Sequence, residues 1–222
     1  MKSQMFNQDV VRHIMDGTQV QDRSPLKIQP PANDWLVNEI IGDDKRNGEC
    51  CFVEPGTVLM VEGCNRTKWF KPRHKVGDII GVRERARLIE GSLDTIFGGN
   101  GKAWFSYEAD HAQTGWIAYP KRLKPMRIGH CVPNGCFKEL IRTFLKVTAI
   151  RFEQVQSITD KDIMHEGVDM SCNYGMNIEH IVDGCDCAKD RFVSLWESIY
   201  PGSWKRNEWV EVTEFELTDK PN

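Results

Sequence analysis

Behind Asn7, the apolar residues Val10, Val11, Ile14 and Met15 recur at three- and four-residue spacings and Gly17 follows. This predicts a short helix capped by Asn7 and stopped at the glycine. From Asp22 to Pro31 the prolines Pro25, Pro30 and Pro31 predict a loop. Short β-like runs then dominate, at Cys50–Glu54, Thr57–Val61, Ile79–Arg83, Ala103–Tyr107, Thr143–Phe152 and Trp209–Glu216. In the fifth run Phe144, Lys146, Thr148 and Ile150 alternate with Leu145, Val147, Ala149 and Arg151. Two late helices interrupt the strands. One enters through Ser157-Ile158-Thr159-Asp160-Lys161-Asp162 and ends at Gly167; the other spans Ala188 to Tyr200 with Phe192, Leu195, Trp196 and Ile199 on one face. Segments 91–101 and 177–186 are expected as surface loops. No internal repeat or long linker interrupts the pattern, so the expectation is one α+β domain over residues 1–222 whose strands roll into a barrel.

Composition narrows the class. With 222 residues, 40% hydrophobic, 27% charged and 9% aromatic, the chain has the make-up of an ordinary folded protein rather than a disordered or membrane-spanning one. Met1-Lys2-Ser3-Gln4 leads into polar residues, which predicts no signal peptide, no membrane contact and a cytoplasmic location. The net charge of −3 conceals a polarity: residues 1–62 carry −4, residues 63–142 carry +8 and residues 143–222 carry −7. In the basic middle, Lys68, Lys71 and Arg73 lie beside Trp69 and Phe70, and Lys121, Arg122, Lys124 and Arg127 fall in the acid-free stretch between Asp110 and Glu139. Cations interleaved with flat rings suit a surface for phosphates and bases, although such runs also mark plain solvated loops. The eight cysteines are expected as free thiols. Cys185-Asp186-Cys187 with Cys172 and His180, or His130-Cys131 with Cys136, lack the spacing of a zinc ribbon, so no metal is expected. Gly98-Gly99-Asn100-Gly101 lacks the Lys-Ser/Thr of a phosphate loop, and no cofactor is expected.

Several stretches in chain order resemble the phage and prophage "morphogenetic" proteins of the ASCH family, part of the PUA-like superfamily. They are Met5-Phe6-Asn7 through Gly17, Val76-Gly77-Asp78-Ile79-Ile80-Gly81-Val82-Arg83-Glu84, Tyr107-Glu108-Ala109-Asp110, Leu145-Lys146-Val147-Thr148, Val155-Gln156-Ser157-Ile158-Thr159, Glu166-Gly167-Val168, and Phe192 to Tyr200 with Trp204, Asn207 and Trp209-Val210. The resemblance implies a PUA-like β-barrel with flanking helices, insertions around 32–75, 88–102 and 169–188, and relatives that bind RNA or modified bases in a bacterial host.

Some small family members hydrolyse an acylated cytidine from a "G-x-K-x-x-[ET]-x-R" motif. Here the motif is similar only in part, reading Gly17-Thr18-Gln19-Val20-Gln21-Asp22-Arg23-Ser24. Gln19 stands where the lysine would be and has no protonation change near neutral pH, though its amide still donates and accepts. Ligand-binding candidates are therefore Gly17, Gln19, Asp22 and Arg23, with Arg83, Trp104 and Tyr107; Trp116 is a further stacking ring. Asp22 and Glu84 are the acid–base candidates if the protein is an enzyme. Arg83 and Glu84 are consecutive on a strand, so their side chains take opposite faces, and strand pairing of Glu84 is an alternative to catalysis. The expected function is a non-catalytic module for RNA or a nucleobase. A divergent nucleoside hydrolase and a virion or phage-assembly component are the alternatives.

Overall fold

A computed structural model describes residues 2–39, 50–54, 67–91, 101–121, 123–132, 137–171 and 186–221. Its strands and helices run in the order β1 (Lys2–Met5), α1 (Gln8–Met15), β2 (Gln21–Pro25), β3 (Leu36–Glu39), β4 (Cys50–Val53), β5 (Thr67–Phe70), β6 (Ile79–Arg83) and β7 (Ala86–Gly91). There follow β8 (Lys102–Tyr107), β9 (Gln113–Ala118), β10 (Phe144–Gln154), α2 (Asp160–His165), α3 (Cys187–Ile199), α4 (Ser203–Arg206) and β11 (Trp209–Thr218). The architecture is mixed α+β and rich in sheet. Chain contacts divide it into two units: Met1–Thr18, Asp78–Lys146 and Glu216–Asn222 form the first, and Gln19–Gly77 with Val147–Phe215 the second.

In the first unit, the Asn7 side chain accepts from the Val10 N–H at 2.8 Å and starts α1, whose Val11 and Ile14 are buried. Gly17 follows the helix at φ +79°, a left-handed conformation that glycine adopts without cost. β1 runs parallel to β6, and the start of β10 pairs antiparallel with β6 through Phe144 and Gly81. β7, β8 and β9 form an antiparallel meander. Alternate residues Ala103, Phe105 and Tyr107 of β8 enter a core with Leu88, Leu140 and Phe144.

Two apolar clusters lie among the described residues of the second unit. Phe52 and Phe70, on the antiparallel β3–β4–β5 sheet, pack with Leu26, Trp35 and Cys50, and Trp209 meets Phe52 edge-on at 5.4 Å. Elsewhere Val210 and Val212 of β11 pack with Ile163 of α2 and with Ala188, Phe192 and Trp196 of α3. α2 begins in a reciprocal capping box. The Asp162 N–H donates to Thr159 Oγ1 at 3.2 Å, and the Thr159 N–H donates to Asp162 Oδ2 at 3.0 Å.

The amphipathic helices and five of the six β-like runs fall where their pattern predicts, within a residue or two. The expected loop from Asp22 to Pro31 is a correction: Gln21–Pro25 is strand β2, with Pro25 as its last residue. Among the described residues no sheet closes on itself into a barrel. Cys131 is a free thiol, Cys50 and Cys51 are buried, and Cys187 is half-buried. The Thr57–Val61 run, most of segments 91–101 and 177–186, Arg122, His180, Cys64, Cys136, Cys172 and Cys185 lie outside the described residues. No helix among the described residues is long and apolar enough to cross a membrane.

The capping box supplies a first test. Thr159→Ala removes the acceptor for one helix-start N–H and one partner of Asp162, and is expected to lower stability by about 1 kcal/mol. Urea denaturation of the variant against wild type measures it, and an unchanged midpoint would deny the cap any role.

Candidate functional site

The register of β2 on β11 sorts polar side chains in the second unit. Ser24 lies opposite Glu211 and Asp22 opposite Thr213, so these four share one face of the ladder; Gln21 and Arg23, opposite Glu214 and Val212, take the other.

On the Gln21–Arg23 face lies a buried ion network. The Arg23 side chain is fully buried, donates to Glu153 Oε1 at 2.5 Å and to Glu166 Oε1 at 3.3 Å, and lies 3.9 Å from Asp162. Gln21 Nε2 also donates to Glu166 Oε1, at 3.0 Å. Arg151 binds Glu153, Asp162 and Glu214. An isolated bridge joins the backbones of Gln19 and Glu166. Gln19 is buried; its Nε2 donates to the Gln21 carbonyl at 3.1 Å, while its Oε1 and Arg23 Nη2 have no hydrogen-bond partner among the described residues. Burial raises the Glu166 carboxyl to about 8, and the nearby Asp22 charge adds to the rise against the opposing pull of Arg23. The network therefore holds a proton near neutral pH.

On the Asp22–Ser24 face lies a cavity of about 670 Å³. Leu26, Ile28 and Phe70 supply apolar lining, and Ser24, Lys71, Arg73, Tyr200 and Glu211 bring polar groups to it. Glu211, only 1% exposed, accepts the Arg73 backbone N–H at 2.9 Å on Oε2 and at 3.2 Å on Oε1, and the Thr213 hydroxyl at 3.4 Å. The Arg73 guanidinium donates to Asp22 at 3.3 Å and lies 3.7 Å from Glu211. Burial, with Asp22 adding to it, raises the Tyr200 phenol, which therefore stays protonated and able to donate. The volume falls within the range of small-ligand pockets, and its combination of apolar walls with a few fixed polar groups is what such pockets use.

The structure thus brings Asp22, Arg73 and Lys71, which the sequence picks out for unrelated reasons, to one region of the second unit; Lys68 is exposed on β5. Glu166, Tyr200 and Glu211 escape sequence reasoning. The signal for Glu211 is a carboxylate inside the apolar alternation Val210-Glu211-Val212; Tyr200 reads there as the end of an amphipathic helix.

Gly17, Arg83, Trp104 and Tyr107 belong to the first unit. Glu84, 1% exposed, takes a bidentate pair of hydrogen bonds from Arg142, at 2.8 and 2.9 Å. Arg142 also binds Asp110 and covers the Tyr107 ring at 3.9 Å. Burial alone would lower the Arg142 pKa, but its bonds to Glu84 and Asp110 overturn that and raise it. Tyr107 is buried and its hydroxyl donates to the Leu140 carbonyl at 2.8 Å, so ring and hydroxyl both serve packing. Trp104 meets Trp116 edge-on at 5.9 Å, and Trp116 is 46% exposed. Arg83 is half-buried, and Lys121, Lys124 and Arg127 are exposed. Among the described residues no group of three or more His, Cys, Asp or Glu is arranged to hold a metal.

No family model, curated protein sequence or solved structure matches the chain significantly.

Both ion networks can be tested in solution. The folded Glu166 carboxyl titrates at about 8 against an ordinary value of 4.5, so between these values the folded chain binds more protons than the unfolded one. Its contribution to stability is full below about pH 4.5 and is lost as pH rises through about 8. Glu166→Gln is expected to flatten the melting temperature across that interval, and parallel wild-type and variant profiles would contradict the assignment. Arg142→Met strands the buried Glu84 charge at a cost of about 3–5 kcal/mol. Adding Glu84→Gln is expected to recover a good part of it in urea denaturation, and a double variant no more stable than Arg142→Met would show that no charge coupling exists.

Proposed function

We propose that the protein is a binding module for RNA or a nucleobase, seated in the cavity of the second unit, on a scaffold of the PUA-like ASCH type as phage-encoded proteins carry. The observation that carries this reading is the cavity itself. It offers Phe70 and Tyr200 as flat rings, Glu211 and Ser24 as acceptor and hydroxyl, and Lys71 with Arg73 as cations. That set suits a planar, hydrogen-bonding base joined to a phosphate. The motif residues Asp22 and Ser24 share the face on which the cavity lies, which ties this reading to the family resemblance.

Binding is favoured over hydrolysis because the two carboxylates in this region are already held by cationic and N–H donors. Asp22 accepts from Arg73, and Glu211 accepts two hydrogen bonds from the Arg73 backbone N–H. Glu84, the other acid–base candidate, is pinned by Arg142. Gln19, buried and bonded to the backbone, supplies no proton acceptor of the amine type. A virion or assembly role finds no specific observation in its favour.

The test is a fluorescence titration with a short single-stranded RNA over a range of salt. Arg73→Ala is expected to weaken binding roughly tenfold, the loss typical of a charge-assisted contact. Replacing Lys121, Arg122, Lys124 and Arg127 by alanine is expected to lower the slope of log K against log salt by about 0.7 for each phosphate that the variant no longer neutralises. Unchanged affinity in Arg73→Ala would remove the cavity from the binding site, and an unchanged slope would return the basic segment to a solvated loop. No release of acyl groups from acylated cytidine is expected from the wild-type chain, and robust turnover abolished by Asp22→Asn would replace the binding reading with the hydrolase.

A further inference from the structure

The ion network on the Gln21–Arg23 face contains a buried acceptor that lacks a donor. Gln19 Oε1 has no hydrogen-bond partner among the described residues, because the amide is oriented by its Nε2 bond to the Gln21 carbonyl. Reversing the amide would set oxygen against oxygen at 3.1 Å, so Oε1 keeps its direction. Glu166 stands across from it. The Gln19–Glu166 bridge is antiparallel, and the Val20 N–H donates to the His165 carbonyl at 3.0 Å. Gln19 and Glu166 are therefore the pair that exchanges no backbone bonds, the kind whose Cα atoms approach to about 4.5 Å and whose side chains lie closest.

The charges around Glu166 leave no cation for its ionised form. Asp22 and Arg23 of β2, Asp162 of α2, Arg151 and Glu153 of β10, and Tyr200 just after α3 surround it, and Glu214 of β11 shares Arg151. Two guanidiniums, Arg23 and Arg151, already meet three carboxylates, Glu153, Asp162 and Glu214. A fourth, on a side chain only 10% exposed, would share Arg23 with two of them. The donors that reach Glu166, Gln21 Nε2 at 3.0 Å and Arg23 Nε at 3.3 Å, both end on Oε1, and Oε2 takes no donor among the described residues.

We infer that Glu166 is a carboxylic acid in the folded chain and donates its proton to Gln19 Oε1, an acid–amide bond that latches the end of α2 to the residues leading into β2 and releases them when the acid ionises. A hydrogen bond made by the neutral form holds the proton on, in the same direction as the burial that raises this carboxyl to about 8. The latch is therefore closed below about pH 8. Above it the proton passes to solvent and a carboxylate faces an amide oxygen, two buried acceptors with no donor between them. The bridge is an isolated one, so it opens without disturbing a longer ladder.

A double-mutant cycle on the intact chain tests the bond. Gln19→Met, Glu166→Met and the two combined are compared with wild type by urea denaturation at about pH 6 and about pH 9.5. At the lower pH the double change is expected to shift the unfolding equilibrium roughly fivefold less than the product of the single changes, the coupling of one hydrogen bond. At the higher pH that coupling is expected to vanish or reverse. Additive changes at the lower pH, or the same coupling at both, would overturn the inference. Hydrogen exchange at the Val20 amide reads the latch with both side chains still able to bond. Glu166→Gln keeps an N–H donor for Gln19 Oε1 and leaves every other titratable group in place, His165 included. Wild-type protection of this amide, corrected for intrinsic exchange, is expected to fall roughly tenfold as pH rises through about 8, and to stay level in Glu166→Gln. Equal profiles in the two proteins would show that ionisation of Glu166 releases nothing, and the latch would be abandoned.

Discussion

The antiparallel pairing of β2 with β11 is the constraint on which the second unit depends, because it makes a polar segment into a central structural element. A strand reading Gln-Asp-Arg-Ser-Pro has no apolar stripe to bury, yet Gln21, Arg23 and Ser24 are buried. Taking an arginine and its carboxylates out of water costs several kcal/mol per ion, and only close geometry offsets this. Arg23 obtains it from Glu153 on β10 and Glu166 just after α2, at 2.5 and 3.3 Å. These contacts therefore fix where the end of α2 and the end of β10 must lie against β2. A slip of one residue in the β2–β11 register would turn Arg23 away from these carboxylates and place Asp22 among them, a like-charge arrangement that would unmake the network.

The same logic recurs in the first unit. Arg142 lies against Glu84, Asp110 and the face of Tyr107, three groups from two places in the chain. Here too one planar guanidinium directs several donors, onto the buried carboxylate of Glu84 and the exposed one of Asp110. Glu84 and Tyr107 are the residue types that chemistry uses, and their neighbours explain their presence without it. Each is engaged on its polar atoms by a partner inside its own unit.

What the sequence disclosed follows from which elements bury apolar side chains. α1, α3, β6, β8, β10 and β11 carry alternating or helical apolar positions and stand within a residue or two of where those positions put them. β2 was hidden because its two faces are both polar and are satisfied by residues distant in the chain, Glu153 and Glu166 on one face and Arg73 on the other. β5 was hidden differently: Lys68, Trp69 and Phe70 read as a basic aromatic cluster, and only pairing with β4 shows Phe70 turned inward onto Phe52 at 4.9 Å. Asp22 and Arg73 were both legible as residues of interest. Their 3.3 Å contact was not, since it joins a motif position to a charge cluster with no local pattern linking them.

The cavity shows how burial and polarity combine in one site. Glu211 sits in a strand whose neighbours Val210 and Val212 are fully buried, so the chain spends two core positions to hold one carboxylate between them. That carboxylate is bound by a backbone N–H, which cannot rotate away as a side chain can, and its oxygens are consequently fixed in direction. Fixed acceptors discriminate better than mobile ones, because a ligand lacking the matching donor leaves a desolvated oxygen unpaired at a cost of about 1–3 kcal/mol. The exposed lysines of the lining have the opposite property. Long, hydrated and mobile, they attract charge over distance without specifying shape. Fixed direction thus belongs to the buried acceptor on β11, and adaptability to the exposed cations.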